Sequence, residues 1–259
     1  MVQLEMIERV KSLAHQSAAI SAVLMYGSFV KGEGDEYSDI EFYIFLNPDI
    51  DFDKQSWITS IQKIELFFLN EFGTEVAIFE NLVRGEFHFM DVDQVGIINS
   101  WIGLASFEYW ENMILVDKDN RLLEVIEKID KDGPRRDGIE NIIWLQSSLI
   151  NMLLFTKNLL LRSEWAHAQQ NFFYIHRYLL WLIRIEANST NHWESPTKKL
   201  EMDIPSIWYK KYSECIPSLD QQNLHRAFLR CVNLARELFE YHKSDKRFID
   251  ILNRIANKE

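Results

Sequence analysis

Two acidic residues, Asp39 and Glu41, stand at the entrance of an apolar run that continues to Leu46. In a strand, residues i and i+2 share a face, so these two carboxylates project together. Glu41 lies between Ile40 and Phe42, where an ionised carboxylate is costly unless something positive compensates it. A divalent cation relieves both that cost and the repulsion within the pair. Upstream, ten residues separate Gly27-Ser28 from Asp39. Glycine allows backbone N–H groups to approach a ligand closely, and a helix starting there would favour phosphate. Gly27 and Ser28 are therefore expected to cradle a triphosphate, with Lys31 placed to counter its charge. A metal-binding carboxylate pair beside a phosphate cradle points to phosphoryl or nucleotidyl transfer. An ordinary exposed acid pair is the plainer alternative, disfavoured by the apolar flanks and the glycine turn. In-line transfer to a hydroxyl also needs a proton acceptor, usually a further carboxylate. Glu75 and Glu86 each open a predicted strand, and the residues alone do not separate them. Arg84 could meet a phosphate, and His88 shares a strand face with Glu86.

These groups need a sheet to hold them. Ile7, Val10 and Ala14 predict a first amphipathic helix, and Ala22–Tyr26 a strand ending at glycine. Gly27 to about Lys31 is expected to open a short helix, followed by loop to Ser38 and a second strand over Asp39–Leu46. Trp57, Ile61, Ile64 and Phe68 have helical spacing and predict a helix from Lys54 to Phe72, stopped by Gly73. Glu75–Phe79, Glu86–Met90 and Met113–Val116 read as strands, and Arg121–Ile129 as a helix. The polar, Gly-containing stretch Lys131–Gly138 marks a boundary, giving expected domains of 1–132 and 133–259. Beyond it the apolar residues fall in helical stripes: Ile142, Leu145, Leu149 and Leu153; Phe172, Ile175, Leu179 and Leu182; Leu224, Phe228, Val232 and Leu238. The expected fold is α+β, a mixed β-sheet with helices followed by an α-helical bundle.

Charge is divided unevenly between these halves. Residues 1–136 carry 25 acidic and 12 basic side chains, whereas residues 137–259 carry 14 and 16. So acidic a first half argues against grasping a nucleic-acid backbone and suits a cationic small molecule with a metal-bound nucleotide. The opening segment lacks the basic and apolar regions of a signal peptide, and the most apolar run, 142–161, contains Gln146, Asn151, Lys157 and Asn158. Two cysteines are too few for a disulfide framework. No membrane association and a cytoplasmic location are the expectations.

Gly27-Ser28 followed by Asp39-Ile40-Glu41 resembles the signature of the DNA polymerase β-like nucleotidyltransferase superfamily. The segments Met25–Phe29, Tyr37–Leu46, Gly73–Val76 and Arg84–Phe89 are similar to the lincosamide nucleotidyltransferases, densely over residues 22–90 and thinly after that. Leu161–Ala168 looks like the inter-helix turn of C-terminal domains in antibiotic nucleotidyltransferases. The resemblance implies an N-terminal nucleotidyltransferase domain that transfers AMP from Mg2+–ATP, or from another nucleoside triphosphate, to a hydroxyl of a lincosamide antibiotic. It implies Asp39 and Glu41 as magnesium ligands and Glu86, within Arg-Gly-Glu-Phe-His-Phe, as the proton acceptor. Aminoglycoside adenylylation uses the same catalytic unit and is the nearest alternative. An antitoxin-like nucleotidyltransferase acting on a protein partner is another, disfavoured by the attached helical half. Homodimerisation stays open.

Overall fold

The structure is a computed structural model that describes residues 1–102, 107–131 and 133–257. Its chain divides into two compact units, Met1–Pro134 and Arg135–Glu259. Asp132, the last residue of the expected first domain, lies outside the described residues.

The first unit runs α1 (Val2–Gln16), β1 (Ile20–Tyr26), β2 (Ile40–Leu46), α2 (Lys54–Ile61), β3 (Ile64–Leu69), β4 (Glu75–Phe79) and β5 (Arg84–Asp91). A 3-10 helix (Val92–Trp101), α3 (Trp110–Met113), β6 (Ile114–Asp117) and α4 (Arg121–Ile126) complete it. The strands form one mixed sheet in the order β3-β4-β5-β2-β1-β6, in which β2 and β5 run parallel and the other neighbours antiparallel. Alternation along β2 buries Ile40, Phe42 and Ile44 and leaves Glu41 and Tyr43 half-exposed. On the buried face Phe42 stacks on Phe87, and Trp57 of α2 meets Phe87 and Phe89 edge-on. Such rings bury large apolar areas and so anchor the sheet to its helices. One face of the sheet is thus core, and the other carries polar groups.

Two expectations fail here. The predicted helix from Lys54 to Phe72 stops at Ile61, and Ile64–Leu69 is instead the edge strand β3, paired with β4 from Ile64↔Phe79 to Leu69↔Glu75. Asp53 caps α2 by accepting from the Ser56 amide at 3.0 Å, and Trp57, Ile58 and Ile61 already use up its buried face. The following Ile-Glu-Leu-Phe-Phe-Leu gains more from the backbone ladder of β4 than from further helical turns. Nor does a helix open at Gly27: Ser28–Gly32 forms successive turns, with the Glu33 amide donating to the Ser28 carbonyl at 2.9 Å.

The second unit is helical among its described residues. Its long helices are α5 (Ile139–Leu161), α6 (Trp165–Glu186), α9 (Gln221–Tyr241) and α10 (Lys246–Ala256), with short α7 (Leu200–Asp203) and α8 (Ser206–Ser213) between them. Leu145, Leu149, Leu153, Ile175, Leu179, Leu224 and Leu238 meet in its core, as their spacing predicts. Among the described residues no helix is long and apolar enough to cross a membrane.

Candidate active site

The register of the sheet brings the chemistry together. Tyr26 of β1 lies opposite Glu41 of β2, Glu41 is level with Glu86 of β5, and Glu86 lies opposite Val76 of β4. Directly paired residues share a sheet face, so Tyr26, Glu41, Glu86 and Val76 form one row. Asp39 precedes Glu41 by two residues and closes the same corner. Glu75 lies opposite Phe87, and therefore on the other face, where it is buried and ion-paired with Lys54 of α2. The two glutamates that the residues alone could not separate thus have opposite orientations.

Arg84 joins the carboxylates. One guanidinium nitrogen donates to Asp39 Oδ2 at 2.6 Å and the other to Glu86 Oε1. Burial disfavours the Arg84 charge, but the bonds to Asp39 and Glu86 outweigh it and hold its pKa above the ordinary value. Arg84 and Glu86 are i and i+2 on one strand, which is the signal that marks their pairing in the sequence.

A chain of hydrogen bonds reaches Glu86 from its other side. The Tyr26 hydroxyl donates to Glu86 Oε2 at 3.3 Å and lies 2.9 Å from His88 Nε2. Burial, reinforced by the charges of Glu41 and Glu86, pushes the Tyr26 phenol far above its usual value, so it keeps its proton. Burial also lowers His88, against the opposing pull of Glu86 and Glu75. A neutral imidazole facing a phenol oxygen whose own proton is spent on Glu86 carries its hydrogen on Nε2. Nδ1 is then an acceptor, 3.4 Å from the Thr74 hydroxyl. His88 is held flat against Tyr43, with ring centroids 4.2 Å apart and planes 8° from parallel.

Gly27 shows how closely the turn meets the carboxylates. Its φ is +84°, and a Cβ built there would stand 1.7 Å from Glu41 Oε2. Any side chain at this position would displace the Glu41 carboxylate or the turn. Ser28 and Lys31 follow in the turns, both half-exposed. The loop returning to Asp39 is tied to α1, where Gln3 donates to the Glu36 carbonyl at 2.8 Å. Asp35 and Ser38 bond to each other within it, at 2.9 Å between side chains. The backbone here offers turn amides, not the helix start expected from Gly27 onward.

Magnesium takes hard oxygen donors and is commonly held by one or two carboxylates together with substrate phosphates and water. Asp39 and Glu41 fit that donor chemistry. Among the described residues no three His, Cys, Asp or Glu side chains converge as a metal cluster.

Residues 138–258 match the family model for the lincosamide nucleotidyltransferase-like C-terminal domain. The helical half of the chain is therefore similar to that family. Its match begins at Gly138, the residue that caps α5. Among solved structures, an aminoglycoside 6-adenyltransferase from Bacillus subtilis aligns at 13% identity over 98% of this chain and 99% of its own, with a TM-score of 0.43. A nucleotidyltransferase-like protein from Exiguobacterium sibiricum aligns at 12% identity over 98% of this chain and 81% of its own, with a TM-score of 0.38. At such values neither alignment bears on function. A search of curated proteins finds no match.

Within the helical unit, the aromatic and imidazole side chains of α6 have mixed roles. His176 faces the Cys215 carbonyl at 3.1 Å, and Trp181 donates to the Trp193 carbonyl at 2.8 Å while stacking on its ring. Both serve the packing of the bundle. Tyr174 is exposed on α6. In the first unit, Tyr26 is the residue that sequence reasoning passed over, because a tyrosine ending an apolar strand looks like core.

Proposed function

We propose that this protein transfers a nucleoside monophosphate, AMP by preference, from a magnesium-bound nucleoside triphosphate to a hydroxyl of a lincosamide, releasing pyrophosphate. The observation that carries this reading is the row of Glu41 and Glu86 on adjacent strands, with Gly27 pressed against the Glu41 carboxylate. The lincosamide nucleotidyltransferase-like half supports the acceptor class.

Asp39 and Glu41 would hold magnesium, which supplies charge neutralisation along the triphosphate when bound. The amides of the Gly27-Ser28 turn face the phosphates, and Lys31 adds positive charge along the loop. Glu86 accepts the proton of the acceptor hydroxyl as its oxygen attacks the α-phosphorus. The bond from that phosphorus to the bridging oxygen breaks, and the electron pair leaves with pyrophosphate. Tyr26 and Arg84 orient the Glu86 carboxylate, one at each oxygen. Arg84 also balances negative charge that would otherwise oppose nucleotide entry. The acidic first unit disfavours nucleic acid as a partner.

The test is pyrophosphate release from ATP and magnesium with lincomycin, clindamycin and kanamycin as acceptors. Turnover with the two lincosamides is expected. Turnover with kanamycin alone replaces this reading by aminoglycoside adenylylation, and silence with all three overturns it.

A further inference from the structure

The polar row does not end at Glu86. Val76 lies opposite Glu86, and Phe68 of the edge strand lies opposite Val76, so Phe68, Val76 and Glu86 continue one line across three strands. Neighbouring strands stand about 4.8 Å apart, which puts Phe68 roughly 10 Å along the sheet from the carboxylate. Next to this line, the turn between β3 and β4 presents Phe72 to solvent at 84% exposure. The turn is not loose: the Asn70 side chain accepts from the Phe72 and Thr74 amides, each at 3.0 Å, and Gly73 takes a φ of +77°. An aromatic ring held in water by a well-bonded turn, beside a second ring that is 42% exposed, is an apolar surface without a cover. A cavity of about 430 Å³ joins the two regions, with Phe68, Phe72 and Val76 lining it on one side and Arg84, Glu86 and His88 on the other. That size suits a small molecule. Glu71 lines it too and offers a counter-charge to an amine.

We propose that this cavity is the apolar half of the acceptor subsite. It takes a hydroxylated amine whose alkyl arm lies against Phe68, Val76 and Phe72 while its hydroxyl reaches Glu86. The inference rests on Glu86 as proton acceptor and adds what selects the acceptor. An alkyl arm discriminates against polyamine sugars, which would leave these rings uncovered. Phe68 and Phe72 are specificity-determining residues in this arrangement, and neither touches the reacting atoms.

The test uses lincomycin and its homologue with an alkyl arm one methylene shorter. Calorimetry measures their binding to the full-length protein, to Phe72→Ala and to Phe68→Ala, and the same samples are assayed for pyrophosphate release. Wild type is expected to bind the longer arm about fourfold more tightly, the value of one buried methylene. Each alanine variant should weaken lincomycin roughly tenfold and bring the ratio between homologues close to one. Phe72→Leu should restore the ratio in large part, and an unchanged melting temperature for Phe72→Ala separates lost contact from lost fold. A chain-length ratio that survives both alanine substitutions overturns the proposal, as does failure of either homologue to bind. Length-dependent binding without turnover leaves the subsite standing and defeats the transfer reaction. Turnover without length dependence does the reverse.

Discussion

Arg84 and Arg184 both meet carboxylates, but the rest of their hydrogen bonds differ. Arg184, on α6, is fully buried and donates to the carbonyls of Pro196, Ser189 and Lys198 as well as to Asp203 Oδ2 at 3.1 Å. Asp203 also pairs with His192 at 2.6 Å. The carbonyls of three residues, spread from Ser189 to Lys198, are thereby fastened to one buried side chain. Arg84 is 36% exposed, and the two partners described for it are the Asp39 and Glu86 carboxylates. It fastens little backbone and instead sets the charge of a surface that a cavity reaches. A buried arginine bonded to carbonyls maintains a fold, whereas a half-open arginine shared by acids tunes a site.

The largest expected effect is on the open cluster. Glu86→Gln keeps size and a hydrogen-bonding oxygen but cannot take a proton, so kcat should fall by about 10²–10⁴. The melting temperature and the KM for ATP should hardly move. Glu75→Gln is the contrast from the opposite sheet face, expected to keep kcat and to lose stability through Lys54. A kinetic loss in Glu75→Gln with none in Glu86→Gln would remove Glu86 from the mechanism.

The buried cluster should respond in the opposite sense. Arg184→Met takes the guanidinium from three carbonyls and from Asp203, which retains its contact with His192, and is expected to cost about 3–5 kcal/mol in chemical denaturation. Turnover per folded molecule should persist. Arg84→Gln should cost less than about 1 kcal/mol, since its charge is partly screened by water. If the two arginine variants lose stability equally, the distinction between them is wrong.

Tyr26→Phe removes one donor from Glu86 while retaining the ring. The expected result is a kcat lower by about fivefold, with an unaltered KM for ATP. An unchanged kcat would leave Tyr26 with a packing role only.

The smallest effect concerns protons on buried imidazoles. Burial depresses His88 in the first unit and His176 and His242 in the second below the ordinary 6.5. Each stays neutral in the folded chain where the unfolded chain binds a proton. Their contribution is whole above 6.5 and is lost as pH falls through the depressed folded values. Thermal melts should therefore drop as pH descends from about 6.5, and His176→Gln should flatten that drop. Identical melting profiles for wild type and variant would refute the assignment.

Much of the site could be read from the chain because its causes are local. The period of two in a strand puts Asp39 with Glu41, and Arg84 with Glu86 and His88, on common faces wherever the strands end up. Apolar spacing along α5, α6 and α9 dictates which sides of those helices are buried. Other features depended on partners distant in sequence. Ile64 and Phe68 satisfy a helical spacing as well as a strand, and only pairing with β4 makes Ile64–Leu69 an edge strand. Glu75 and Glu86 each begin or lie near the start of a strand, and the β4–β5 register alone turns them to opposite faces. The turn at Gly27 is shaped by the Glu41 carboxylate fourteen residues on, which leaves no room for a side chain. Backbone geometry determines which neighbours in sequence share a face. Strand register, a contest among hydrogen bonds and side-chain packing over the whole sheet, decides which faces meet.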